Sequence, residues 1–320
     1  MITDSIIAYG DQLGAQMSTF ANLVYIAKEN STDICFFNEY KNFRRGYCLL
    51  KAFNLKHKIE GISIKFKRRF FLPIPELYCL QFTHKPKSVA NYKRIYKSKL
   101  WGKFDNLFYR SIKKIFYADY KIINGTNGVN CDSQLLNLTT NRNYDIHSGF
   151  GTYQDWKKYE NLIKNIFIFK DEIKKEASVI YNSIKTEKET LSIHFRKGDY
   201  LILSSLNLTL DYYQKALTYF NKDKYKLIIF SDDIDSCKNS GIFEGYDIHY
   251  MDQHSAVIDM CLMSLCDNNI IANSTFSFWG AFLNNNKNKK VVCPHDFIGD
   301  SAPEYMYING NYYPEAWIAL

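Results

Sequence analysis

Apolar and polar positions alternate sharply from Leu191, where Leu191, Ile193 and Phe195 interleave with other residues and the run ends in His194, Arg196, Lys197 and Asp199. A short apolar run of period two reads as a strand, here finishing in charge. Around it the period keeps switching. "WKKYENLIKNIFIFKDEIKKEASVIYNSI" reads as one long helix before the strand "TLSIHF". "LDYYQKALTYFNK" then reads as a helix, "YKLIIFSDD" and "IHYMD" as strands, and "SAVIDMCLMSLCDN" as a helix. "NIIAN" is a strand, "TFSFWGAFLNN" a helix and "KKVVCP" a closing strand. Such alternation predicts a parallel sheet covered by helices on both faces. Near the start, "SIIAYG", "DQLGAQ", "MSTFANLVYIAKEN" and "DICFF" read as strand, loop, helix and strand, a second unit of the same kind. Between Lys41 and Asn141 the pattern weakens into basic, aromatic-rich segments that predict no element order. The expected fold class is α/β, with two doubly wound, Rossmann-type domains at 1–155 and 156–320 facing a cleft.

In open parallel sheets, ligands bind at the carboxyl ends of the strands. Three such ends carry polar clusters: His194/Arg196/Asp199, then Ser231-Asp232-Asp233, then Asn273-Ser274-Thr275-Phe276-Ser277. Arg196 offers a two-pronged contact for phosphate. The Asn273–Ser277 stretch offers hydroxyls, an amide and free backbone N–H groups at a helix start. A carboxylate at Asp232 or Asp233 suits the paired N–H donors of guanine. Together they describe a nucleotide diphosphate pocket. Each cluster also has a plain structural explanation: a solvated strand end for the first, and helix caps for "SDD" and "NST".

Composition narrows the classes. The chain has 320 residues, 46% of them hydrophobic, and a net charge of +8. No run is long and apolar enough for a spanning helix, and the start lacks a signal-peptide pattern, so a cytoplasmic location is expected. Eight cysteines without ligand-like spacing read as reduced core thiols. The basic charge gathers in "KFKRRF" and in Lys85 to Lys103, where Tyr92, Tyr96, Leu100 and Phe104 recur every fourth residue. That face fits peripheral contact with an anionic membrane, or an ordinary surface helix. A P-loop and a GxSxG elbow are both absent from the sequence. Asp233 and Asp235 could be read as a metal-binding pair, but the strand end and helix start explain them, so the chemistry is expected to need no metal.

The blocks "HFRKGDY", "FSDD" and "DMCLMSLCDNNIIANSTFSFWGAFLN" resemble, in order and spacing, those of the bacterial α-1,2-fucosyltransferases of glycosyltransferase family 11. "GTYQDWKKYE" is similar to a further block of that family through Gly151, Tyr153, Gln154 and Tyr159. "GDQLGAQM" is similar to its N-terminal glycine-rich loop through Leu13, Gly14, Gln16 and Met17. It departs at Asp11-Gln12, where the family has glycine, and at Ala15, where it has asparagine. The resemblance implies a GT-B-like architecture and metal-independent, inverting transfer of L-fucose from GDP-β-L-fucose to the 2-hydroxyl of a β-galactoside, as in an O-antigen. It implies His194 and Asp232 near the nucleoside, Thr275 and Ser277 near the diphosphate, and Arg196 bracing the leaving group. Asn273, Ser274, Phe276, Gly14 and Gln16 complete the expected donor contacts. Asp199 either orients Arg196 or meets the sugar, and Asp11 is a candidate base. The expected partners are GDP-fucose and a galactose-terminated, lipid-linked acceptor, with no nucleic acid. A transferase for another GDP-sugar, a non-catalytic sugar-nucleotide binder and a nucleic-acid-binding protein are the alternatives.

Overall fold

The computed structural model describes residues 1–4, 7, 12–37, 48–56, 58–67, 120–124, 130–139, 141–147, 151–196, 208–252, 254–298, 308 and 312–320. Two six-stranded sheets divide the chain. The first contains β1 (Ile2–Thr3), β2 (Ile34–Phe37), β3 (Lys58–Ile59), β4 (Ile62–Lys67), β5 (Tyr120–Asn124) and β6 (Asn143–His147), in the order β3-β4-β2-β1-β6-β5. Its pairs are parallel except for the β3–β4 hairpin. The second contains β7 (Glu189–Phe195), β8 (Tyr225–Ser231), β9 (Asp247–Met251), β10 (Asn268–Ile270), β11 (Val291–Cys293) and β12 (Ile318–Ala319). Its order is β12-β11-β10-β7-β8-β9, parallel throughout. β8 carries the continuous apolar run Leu227–Phe230, and β7 and β10 are buried at successive positions although polar residues interrupt them, because helices cover both faces.

Nine α-helices accompany the sheets among the described residues: α1 (Leu13–Glu29), α2 (Cys48–Ala52), α3 (Tyr153–Trp156), α4 (Glu160–Ile166), α5 (Asp171–Ile184), α6 (Leu210–Leu217), α7 (Ile234–Asn239), α8 (Ala256–Leu265) and α9 (Thr275–Phe282). The long helix expected over 156–184 is broken. Around Phe169 the chain leaves the helix to pair with the end of α2: Phe53 bridges Phe169, Asn54 N–H donates to Ile168 O, and Lys170 N–H donates to Ala52 O. Helical periodicity on either side hides this, because Ile166, Phe167 and Phe169 are apolar and buried, as residues of a core-facing helix would be. The first strand lies at Ile2–Thr3, earlier than "SIIAYG", and helix α1 begins at Leu13 rather than Met17. The amphipathic stretch from Tyr92 to Phe104 lies outside the described residues. No helix among those described is long and apolar enough to cross a membrane.

The two halves share one core. A continuous buried cluster runs from Met17, Phe20 and Val24 on α1 to Trp156, Phe278, Trp279 and Phe282. Trp156 stacks on Trp279 at 5.6 Å between centroids, and the Trp279 indole N–H donates to Ser18 Oγ at 2.9 Å. The C-terminal segment ties down α3: Tyr153 N–H donates to Tyr312 O, Gln154 Nε2 donates to Tyr313 O, and Lys157 pairs with Glu315 at 2.7 Å.

Candidate active site

The second sheet reverses its order of growth between β7 and β10. Carboxyl ends part at such a reversal, and the polar clusters read from the sequence lie around it. On β7, His194 is 5% exposed. Burial, reinforced by the charge of Arg196 and opposed by Asp232, pushes its pKa down to about 3, so the imidazole is neutral. Its Nδ1 is buried without a hydrogen-bond partner, and the ring lies 5.5 Å from that of Phe276. One residue beyond the strand, Arg196 Nε stands 3.7 Å from Asp232 Oδ2, and both side chains are at least two-thirds buried.

That ion pair changes the expected division of labour. Asp232 faces Arg196 and orients the guanidinium. Asp233 caps α7, accepting from Ser236 N at 2.9 Å and from Ser236 Oγ at 2.6 Å. The structure therefore gives both "SDD" carboxylates work inside the protein, and the capping explanation holds for Asp233. Asp199 and Asp11 lie outside the described residues.

At the end of β10, Ser274 caps α9 by accepting from Phe276 N at 3.3 Å. Ser277, placed near the diphosphate by resemblance, is 1% exposed and turned inward, and its Oγ accepts from Ala272 N at 3.2 Å. It stiffens the loop that carries Asn273 and Ser274, themselves buried. Thr275 and Phe276 are half-buried, leaving Thr275 as the hydroxyl at the opening of the helix. Gly14 and Gln16 also have structural tasks. A Cβ on Gly14 would lie 2.6 Å from Phe276 N, so the glycine is there to let the first turn of α1 touch the first turn of α9. Gln16 is fully buried, its Oε1 accepting from Cys48 N at 2.9 Å, where it holds the start of α2. The two helix N-termini, each carrying positive dipole charge, thus meet beside His194.

Asp259 is a further carboxylate in the second half. It lies in the first turn of α8, after the carboxyl end of β9, and is the one charged residue of that helix. Its Oδ1 is buried without a hydrogen-bond partner, and burial, opposed by His254, pushes its carboxyl up to about 6. A strand-end reading passes over it because it lies inside an apolar helix. The isolation of one carboxylate among Ile258, Met260 and Leu262 was the available signal. Among the described residues no three His, Cys, Asp or Glu side chains gather as a metal site.

The sequence profile of glycosyl transferase family 11 matches residues 136–318, more than half of the chain and the carboxyl ends of β7 to β11. The chain belongs to glycosyltransferase family 11. This family 11 chain is 33% identical over 171 residues to the O-antigen biosynthesis glycosyltransferase WbnK of Escherichia coli, covering 50% of each chain. It is 36% identical over 106 residues to an α-1,2-colitosyltransferase of Escherichia coli, covering 30% of this chain and 37% of that one. It thus matches about half the length of the first relative and less of the second. Crystal structures of POFUT1 in complex with GDP share its fold, with a TM-score of 0.54, 9% identity and coverage of 92% of this chain and 97% of that one. The family 11 chain therefore has the GT-B arrangement of two Rossmann-like sheets.

Proposed function

We propose that this chain is an inverting glycosyltransferase that moves L-fucose from GDP-β-L-fucose to a galactose hydroxyl, the 2-hydroxyl by family resemblance, in a cell-surface glycan of the O-antigen kind. The observation that carries the reading is the convergence of neutral His194, the Arg196–Asp232 pair and the touching N-termini of α1 and α9 at the reversal point of the second sheet. As the bond from the sugar to the diphosphate breaks, negative charge collects on the leaving oxygen. Arg196 and the α9 dipole, with the Thr275 hydroxyl at its mouth, are placed to stabilise that charge. Because Asp232 holds Arg196 beforehand, little reorganisation is needed when the charge appears. Positive charge from these groups makes the reaction independent of a divalent ion, so a chelator should leave turnover unchanged.

Asp259 is the group we assign to the guanine. Its unpartnered buried oxygen supplies the acceptor that paired N–H donors require, while Asp232 and Asp233 are engaged elsewhere. The acceptor hydroxyl attacks from the face opposite the departing diphosphate, which inverts the anomeric centre.

A second donor, GDP-colitose, is favoured by the similarity to the colitosyltransferase. Incubation with lactose and either GDP-fucose or GDP-colitose, followed by mass spectrometry, separates the two, since the transferred sugars differ by one oxygen. Transfer of fucose is the expected result. Exclusive transfer of colitose would replace the donor, and transfer of neither, with no GDP binding, would remove the reading.

A further inference from the structure

Where β7 and β10 part, backbone groups on both strands lose their facing strand and must find other partners or remain unsatisfied. Glu189 N–H donates to Lys224 O, so the odd-numbered residues of β7 face β8, and His194 and Arg196 face β10. β10 accompanies β7 only as far as the Ile270–Ile193 pair. Beyond it, the Tyr213 hydroxyl stands in for the missing strand. It donates to His194 O at 3.1 Å and accepts from Arg196 N at 3.4 Å, the two bonds that a facing peptide would make in a parallel ladder.

The other flank of β10 has the same problem. Asn269 N and Ile271 N donate to Lys290 O and Val292 O, so the next ladder donor to Ile271 O would be the N–H of residue 294. That residue is Pro294, which has none. The Tyr212 hydroxyl donates to Ile271 O instead, at 2.6 Å. Tyr212 and Tyr213 are neighbours on α6, with rings edge to face at 5.0 Å and exposures of 7% and 1%. Two adjacent phenols thus finish the ladders on both sides of the strand that leads into Asn273 and Ser274.

We propose that Tyr213, supported by Tyr212, is a positioning residue of the diphosphate site: its hydroxyl fixes the backbone from which Arg196 projects and keeps the β7–β10 crevice open. The proposal rests on the donor reading above. A ring that only filled the core would serve equally well without its oxygen. Phenylalanine keeps the 4.8 Å contact with Phe195 and removes only the hydrogen bonds.

The test is calorimetry of GDP and GMP binding to the wild type, to Tyr213→Phe and to Tyr219→Phe, the last changing an exposed tyrosine just beyond α6. Only GDP carries the second phosphate. In Tyr213→Phe the preference for GDP over GMP should fall about tenfold, the order expected when a hydrogen bond to a charged group loses its alignment. GMP affinity, and both affinities in Tyr219→Phe, should stay at wild-type values. If Tyr213→Phe kept the wild-type preference, or lost GDP and GMP affinity by one common factor, the positioning role would be overturned while the donor reading stood. A wild type that binds neither nucleotide would overturn both. Should the variant prove too unstable to purify, amide hydrogen exchange on the wild type decides instead. Protection of the Arg196 amide comparable to that of Ile193 supports the proposal, and exchange at loop rates overturns it.

Discussion

Two titratable groups, His194 and Asp259, respond to pH in opposite directions. His194 binds its proton less readily in the folded chain, with its pKa near 3. The unfolded chain protonates first, so this group withdraws stability as pH falls from about 6.5 towards 3. Asp259 binds its proton more readily when folded, near 6, so it withdraws stability as pH rises from about 4 through 6. Above pH 6 the chain therefore holds a desolvated carboxylate. Asp259→Asn should raise stability at pH 8 by about 1–2 kcal/mol and abolish the preference for GDP over ADP and UDP. Melting curves and calorimetry read the two effects. In the wild type, GDP affinity should weaken as pH drops below about 6, since a protonated carboxyl no longer accepts both guanine donors. At the third residue, Arg196→Ala should lower turnover roughly 10²–10³-fold at saturating donor with the melting curve little changed, and Arg196→Lys should recover little because a point charge lacks the fork. The place of His194 and Arg196 at a strand end was legible in the sequence because polar and charged residues ended an apolar strand. The partners were not. Asp232 turned out to face Arg196, and Asp259 was concealed in an apolar helix, because pairing across strand ends depends on sheet order rather than on distance along the chain.

The contact between α1 and α9 depends on the absence of one carbon. Gly14→Ala should gain slightly in helix propensity, on the order of 0.5–1 kcal/mol, yet lose more by overpacking against backbone, about 1–3 kcal/mol. Since the obstructing atom is Phe276 N, the first turn of α9 must shift, and GDP affinity should fall together with Tm. A variant that melted normally and bound GDP normally would show that the two helices tolerate separation. Most elements were readable from periodicity, as in β7, β8, α6 and α8. The exceptions came where tertiary contacts outweighed local preference. Residues around Phe169 left the helix to meet α2, and Gln16, polar and on the first turns of α1, was drawn inward by the amide of Cys48. The resemblance drew attention to the loop before α1, and the structure adds a second demand on Gly14, since close approach to a ligand and close approach to another helix ask the same thing of the backbone.

Across the molecule, the shared core makes the two sheets one thermodynamic object. Trp156, Trp279 and Phe282 pack against Phe167 and the residues of α1 without a break. Calorimetric unfolding should therefore show one transition, with van't Hoff and calorimetric enthalpies equal. GDP at a hundredfold excess over its Kd should shift that whole transition by about 2.7 kcal/mol, and two separate transitions would show that the halves unfold alone. The same continuity governs how such a chain can diversify. If the first half meets the acceptor and the second holds the donor, exchanging halves between relatives looks like a short route to new glycans. Here the cut would pass through the Trp279–Ser18 hydrogen bond and the Gly14–Phe276 contact, so a transplanted first half would have to bring a matching Ser18 and Gly14 with it. New acceptor specificities should then arise by changing loops around an unbroken centre, and libraries of recombined halves should contain few folded members.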